Sequence, residues 1–96
     1  MRKIEKIRLL EEMKGSCSKK KFLMEMERLG IYKKNCNDYL VTEPVDIRKE
    51  LERIPEADYE LCSALLSVLS RQDNFLSFGA DIYVKQILNR MILLLQ

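Results

Sequence analysis

Arg53-Ile-Pro-Glu-Ala-Asp-Tyr-Glu-Leu-Cys-Ser-Ala-Leu-Leu-Ser-Val-Leu-Ser-Arg-Gln-Asp-Asn-Phe75 decides the fold of this chain. Pro55 has a fixed φ and no amide hydrogen to donate, so it stops one element and preorganises the first turn of the next. Cys62, Leu65, Leu66 and Leu69 then fall at the spacing of a buried helical stripe, which predicts a central helix over about 55–72. Apolar residues cover most of its circumference and leave a narrow polar line of Glu60, Ser63, Ser67 and Ser70 or Arg71, the pattern of a helix covered on several sides. A line of serines invites a nucleophile, but no general base accompanies it. Hydroxyls on a helix more often bond the carbonyls of the preceding turn or allow close packing.

The same periodicity recurs on either side. Ile4, Ile7, Leu10 and Met13 alternate with Glu5, Lys6, Arg8, Glu11 and Glu12, predicting an amphipathic helix over 3–14 that Gly15 caps. Ser16 or Ser18 caps a second helix through Arg28, with Phe22, Met26 and Leu29 on one face and Gly30 at its end. The link between the two is short, so they should pack as an antiparallel hairpin. Thr42 or Asp46 caps a short helix to Arg53, with Pro44 in its first turn, Ile47, Leu51 and Ile54 on one face, and an acidic cluster of Glu43, Asp46, Glu50 and Glu52. After Gly79, Val84, Ile87, Leu88, Met91, Ile92 and Leu95 form the stripe of a fifth helix. Residues 31–42 carry two β-prone runs, Ile31-Tyr32 and Tyr39-Leu40-Val41-Thr42, around an Asn/Asp-rich turn. They read either as a short β-hairpin or as an extended loop anchored by Tyr39 and Leu40. The fold class is mainly α, a single domain over 1–96 built as a small bundle of about five helices. Leu65, Leu66, Leu69, Ile87, Leu88 and Met91 should form its core centre.

With 96 residues, 47% hydrophobic and 33% charged, the composition is that of one ordinary folded domain. The net charge of +2 is unevenly spread. Residues 1–34 hold 11 Lys/Arg against 5 Asp/Glu, a net +6, and residues 35–96 hold 6 against 10, a net −4. Such asymmetry marks either an anionic partner at the basic end or complementarity within the molecule. Cys17, Cys36 and Cys62 are odd in number and far apart, and the chain has no histidine, so neither a disulfide framework nor a zinc site is expected. Cys62 reads as a small core residue. No cofactor is expected. The N-terminus lacks a continuous apolar h-region, and the run from Met91 to Leu95 is far short of the roughly 20 apolar residues of a membrane span. No membrane partner is expected, and the expected compartment is the cytoplasm.

Asp38-Tyr-Leu-Val-Thr-Glu-Pro44, and then Glu50 to Phe75 with Ala57-Asp-Tyr-x-Leu-Cys-x-Ala-Leu-Leu followed by Leu69-x-Arg-x-Asp-x-Phe75, resemble the signature of a family of small uncharacterised bacterial and mobile-element proteins. The likeness runs through Leu65, Leu66, Ser67, Arg71, Asp73, Phe75 and a displaced Gly79 to Ile87-Leu-x-Arg-Met91, roughly the second half of the chain. Serine stands at 67 where the family carries threonine, and the segment between Phe75 and Ile87 is shorter and lacks a second glycine. The resemblance implies one compact domain and supplies no active site.

Two function classes follow. The first is a small non-enzymatic interaction protein: Met91-Ile-Leu-Leu-Leu95 is apolar on every face, more than a domain of this size readily hides. Leu93 and Leu94 lie off the inner stripe and are candidate contacts for a protein partner or a homodimer through the C-terminal helix, with packing inside the monomer as the competing reading. Arg71 and Asp73 either satisfy helix-end backbone groups beside Phe75 and Phe78 or form a recognition patch in which Arg71 grips a carboxylate or phosphate. The second class is nucleic-acid binding by Lys19, Lys20, Lys21, Lys33 and Lys34, with Arg28, beside a wing-like hairpin at 31–42. The short link between the first two helices leaves no room for the extra helix of a helix-turn-helix, and a pI near 8.4 is below the basic range of such modules. No catalytic residues are expected.

Overall fold

A computed structural model describes residues 2–15, 18–44, 46–71 and 80–96. Among these residues five α-helices follow in order: α1 (Lys3–Lys14), α2 (Lys19–Leu29), α3 (Ile47–Leu51), α4 (Tyr59–Ser70) and α5 (Ala80–Leu95). Short 3₁₀ turns at Cys36–Tyr39 and Ile54–Glu56 interrupt the connections, and no strand occurs among the described residues. The architecture is mainly α.

Helix α5 packs on both α1 and α4, and the Ile54–Glu56 turn closes against it. Buried Leu65, Leu66 and Leu69 of α4 join Ile87, Leu88 and Met91 of α5 in one apolar cluster, to which α1 adds Leu10 and Met13 and α2 adds Phe22, Met26 and Leu29. These are the predicted stripes of all four helices. Ile4 is the exception, 66% exposed at the outer end of α1. Lys14 Nζ donates to Asn89 Oδ1 at 2.7 Å and Arg90 Nε to the Ala57 carbonyl at 2.9 Å, fixing α5 against its neighbours by polar contacts as well.

Local sequence sets the boundaries. Ser18 caps α2 by accepting from the Lys21 amide at 3.2 Å. Gly30 ends it at φ +71, with its own N–H to the Glu27 carbonyl and that of Ile31 to Met26. This pair of bonds, with Ile31 and Met26 both buried, is the Schellman arrangement that a left-handed glycine permits. Asp46, not Thr42, caps α3 by accepting from Arg48 and Lys49, while Thr42 Oγ1 accepts from the Asp46 amide at 2.8 Å. Pro44, after a cis peptide bond, lies before that cap and not in the first helical turn, and α3 ends at Leu51. Helix α4 also starts later than expected. Pro55 opens the Ile54–Glu56 turn, Ala57 is extended, and Asp58 caps the helix proper by accepting from Leu61 N at 2.8 Å. An aspartate three residues after the proline out-competes it because it supplies the missing acceptor for an orphan amide.

The hairpin alternative for 31–42 is not what forms. Residues 36–39 wind into a 3₁₀ turn against α4, with Cys36 fully buried, Lys34 and Asn35 form the turn that leads into it, and the rest of the stretch is irregular and joins no ladder. Leu40 packs against the core as the loop reading expects; Tyr39 stays half-buried, with the Lys33 ammonium 5.9 Å from its ring centre. The β-prone residues form no ladder because their backbone groups find partners on α3 and α4 instead.

Candidate interaction surface

Helical periodicity divides α5 in two. Val84, Ile87, Leu88, Met91 and Ile92 face inward and are buried. On the opposite side Ile82, Gln86, Asn89 and Leu93 fall within about 60° of one another at 3.6 residues per turn, and all four are exposed. Ile82 keeps 55% and Leu93 59% of its surface in water, and Tyr83 and Leu94 flank them, also exposed. Between Gln86 and Gln96 the one charged side chain is Arg90, whose Nε is held by the Ala57 carbonyl. A shallow groove of about 400 Å³ continues the surface towards α3, lined by Arg48, Leu51, Glu52, Pro55, Tyr83 and Gln86. This arrangement offers apolar side chains and amides to a macromolecular surface and brings no nucleophile and base together.

The other sequence candidates separate. Asp73, with Phe75 and Phe78, lies outside the described residues. Arg71 Nη2 donates to the Lys34 carbonyl at 2.6 Å, so it ties the 31–36 stretch to the end of α4 rather than satisfying a helix end. Lys19, Lys20 and Lys21 form the exposed first turn of α2, whereas Lys33 and Lys34 follow its last turn, roughly 16 Å of helix away. Lys33 is further committed: its ammonium is paired with Glu60, and that hydrogen-bonded carboxylate raises the lysine pKa above 10.5 despite some desolvation. The two groups of lysines thus stand at opposite ends of α2.

The serine line is structural. Ser63 donates to the Tyr59 carbonyl at 2.9 Å, Ser67 to Ser63 at 2.8 Å and Ser70 to Ser67 at 2.7 Å, each bonding back into its own helix. Ser67 also accepts from the Lys33 amide at 2.9 Å, so a small hydroxyl lets the incoming chain lie directly on α4. Cys62 is fully buried, and desolvation pushes its thiol up to about 11, outweighing the opposing influence of Arg90. Burial, with help from the Glu60 charge, also raises Tyr59, whose hydroxyl has no hydrogen-bond partner among the described residues. Such groups are poor nucleophiles near neutral pH. No set of three or more His, Cys, Asp or Glu converges as a metal site among the described residues, and no described helix is long and apolar enough to cross a membrane.

Glu50 is the feature that composition conceals. Grouped in sequence with Glu43, Asp46 and Glu52, it turns inward and is completely buried. Its carboxylate accepts from the Val41 amide at 2.9 and 3.2 Å and from Arg53 Nη1 at 3.1 Å, and the same Arg53 nitrogen donates to the Tyr39 carbonyl at 3.0 Å. The clamp fastens residues 39–41 to α3. Its i, i+3 spacing with Arg53 was visible in sequence, but nothing there distinguishes it from an exposed surface pair. Comparison of the chain with family models, with curated proteins and with solved structures gives no match.

Proposed function

We propose that the protein is a small non-enzymatic interaction module that works in the cytoplasm through protein–protein contacts made by the outward face of α5. The observation that carries this reading is the exposure of Ile82, Tyr83, Leu93 and Leu94 on one helix whose inner stripe is already fully used. Exposed apolar residues are ordinary one at a time; four on one helix beside a groove, with little charge among them, favour a contact surface. The polar and nucleophilic groups of the interior support the non-enzymatic part of the reading, since the serines, Cys62 and Glu50 are all engaged in holding the fold.

The test is Leu93→Glu/Leu94→Glu. The double variant should keep the wild-type circular dichroism spectrum and melting temperature while losing the chemically cross-linked adducts that the wild type forms in its host cells. Unfolding of the double variant would place both leucines in the core, and adducts that survive in a folded variant would move the contact elsewhere.

A further inference from the structure

The outward ridge of α5 reads the same in both directions. Its order is Ile82, Gln86, Asn89, Leu93: apolar, amide, amide, apolar, at spacings of 4, 3 and 4. Those spacings are the knob positions of a coiled-coil seam. A two-fold axis crossing the helix at its midpoint, between Ile87 and Leu88, sets Ile82 opposite Leu93 of a second copy and Gln86 opposite Asn89. We infer that this ridge is the seam of an isologous, antiparallel α5–α5 contact between two copies of the chain.

This rests on the reading of α5 as the contact surface and commits that surface to one occupant. A two-fold contact brings every group against its own kind's surroundings, so a charged face opposes itself. The N-terminal part, with its net +6, fails that condition; the four ridge residues carry no charge, and the Lys14 ammonium that reaches Asn89 is paired with Glu11 at 3.1 Å. Amides satisfy the polar requirement at the centre because each both donates and accepts. Asn89 Oδ1 is taken by Lys14, which leaves the Asn89 NH₂ group to donate to the Gln86 side-chain carbonyl of the second copy. Tyr83 and Leu94 widen the seam on one flank. One helix pair is a small interface, so the dimer should be weak and concentration-dependent.

Sedimentation of the wild type over a dilution series should show the mass rising from 11.4 kDa towards twice that value. Register is read by disulfide trapping in a Cys17→Ser background, using Ile82→Cys and Leu93→Cys chains. In an antiparallel seam the equimolar mixture forms a cross-linked dimer and neither chain does so alone, because like positions lie roughly 16 Å apart along the axis. Cross-linking of each chain with itself would overturn the antiparallel register. A wild type that stays at 11.4 kDa at the highest concentration would overturn the second copy, and would do so without touching the proposed function if adducts dependent on Leu93 and Leu94 persist in cells. If a cysteine variant fails to fold, charge exchange decides: Leu93→Glu should abolish the dimer, and Ile82→Lys/Leu93→Glu should restore it, whereas no restoration would exclude the pairing.

Discussion

Both oxygens of the Glu50 carboxylate accept from the Val41 amide and one also accepts from Arg53, so truncation leaves a buried N–H and a guanidinium without their acceptor. Glu50→Ala should lower stability by about 3 kcal/mol, the low end for breaking a buried ion pair, because Arg53 keeps part of its side chain in water. Urea titration should show a reduced midpoint with an unchanged slope. Glu43→Ala, a few residues earlier and exposed, should change little. Cys62 makes a different prediction. Its folded thiol holds its proton up to about 11 against an ordinary 9.0, so folding binds that proton more tightly. The associated stability is fully present below pH 9 and is lost as pH climbs towards 11, the unfolded chain ionising first. Tyr59 and Lys33 are shifted upward too and extend the loss to higher pH. Melting temperature should fall steeply on the alkaline side, and Cys62→Ala should flatten the earliest part of that fall.

The 31–41 stretch behaves as an element although it has neither the period of a helix nor a paired strand. Ser67 receives it at Lys33, Glu50 holds it at Val41, and Arg71 and Arg53 grip the Lys34 and Tyr39 carbonyls between them. Amide exchange at Lys33 and Val41 should therefore be slow for a loop, and Ser67→Ala should accelerate Lys33 selectively at a cost of about 1–3 kcal/mol. The helices were legible because the apolar period reports burial directly: Leu65, Leu66, Ile87 and Leu88 need only their spacing to be placed. The loop was not, since a β-prone run such as Tyr39-Leu40-Val41 points to an extended backbone, whereas Tyr39 ends a 3₁₀ turn and the run's polar groups are held by Glu50 and Arg53 further along the sequence. The start of α4 was misplaced for a related reason, two competing initiation signals, Pro55 and Asp58, lying three residues apart. In the proposed contact surface, Leu93 and Leu94 could be marked from sequence by their position off the inner stripe. Gln86 and Asn89 could not, because amides on an exposed face look like ordinary solvation until the helix's other side is known to be full.

At the scale of the whole molecule, the basic residues of the N-terminal half are spread along α2 and past its end. Lys19–Lys21 stand at one end of α2, Lys33 is neutralised by Glu60, and Lys34 lies beside Arg71. A DNA or RNA titration at physiological ionic strength should show no micromolar binding, and whatever appears at low salt should vanish steeply as salt is raised. The packing of α1 on α5 has a temporal side as well. Lys14 and Asn89 meet across 75 residues of chain. A ribosome adding about 5–20 residues per second needs roughly 4–15 s to make the second after the first. During that interval Leu10 and Met13 have at most α2 beside them and lack their principal cover, so the growing chain displays an apolar stripe that the folded domain hides. Burial of that stripe therefore waits on the synthesis of α5.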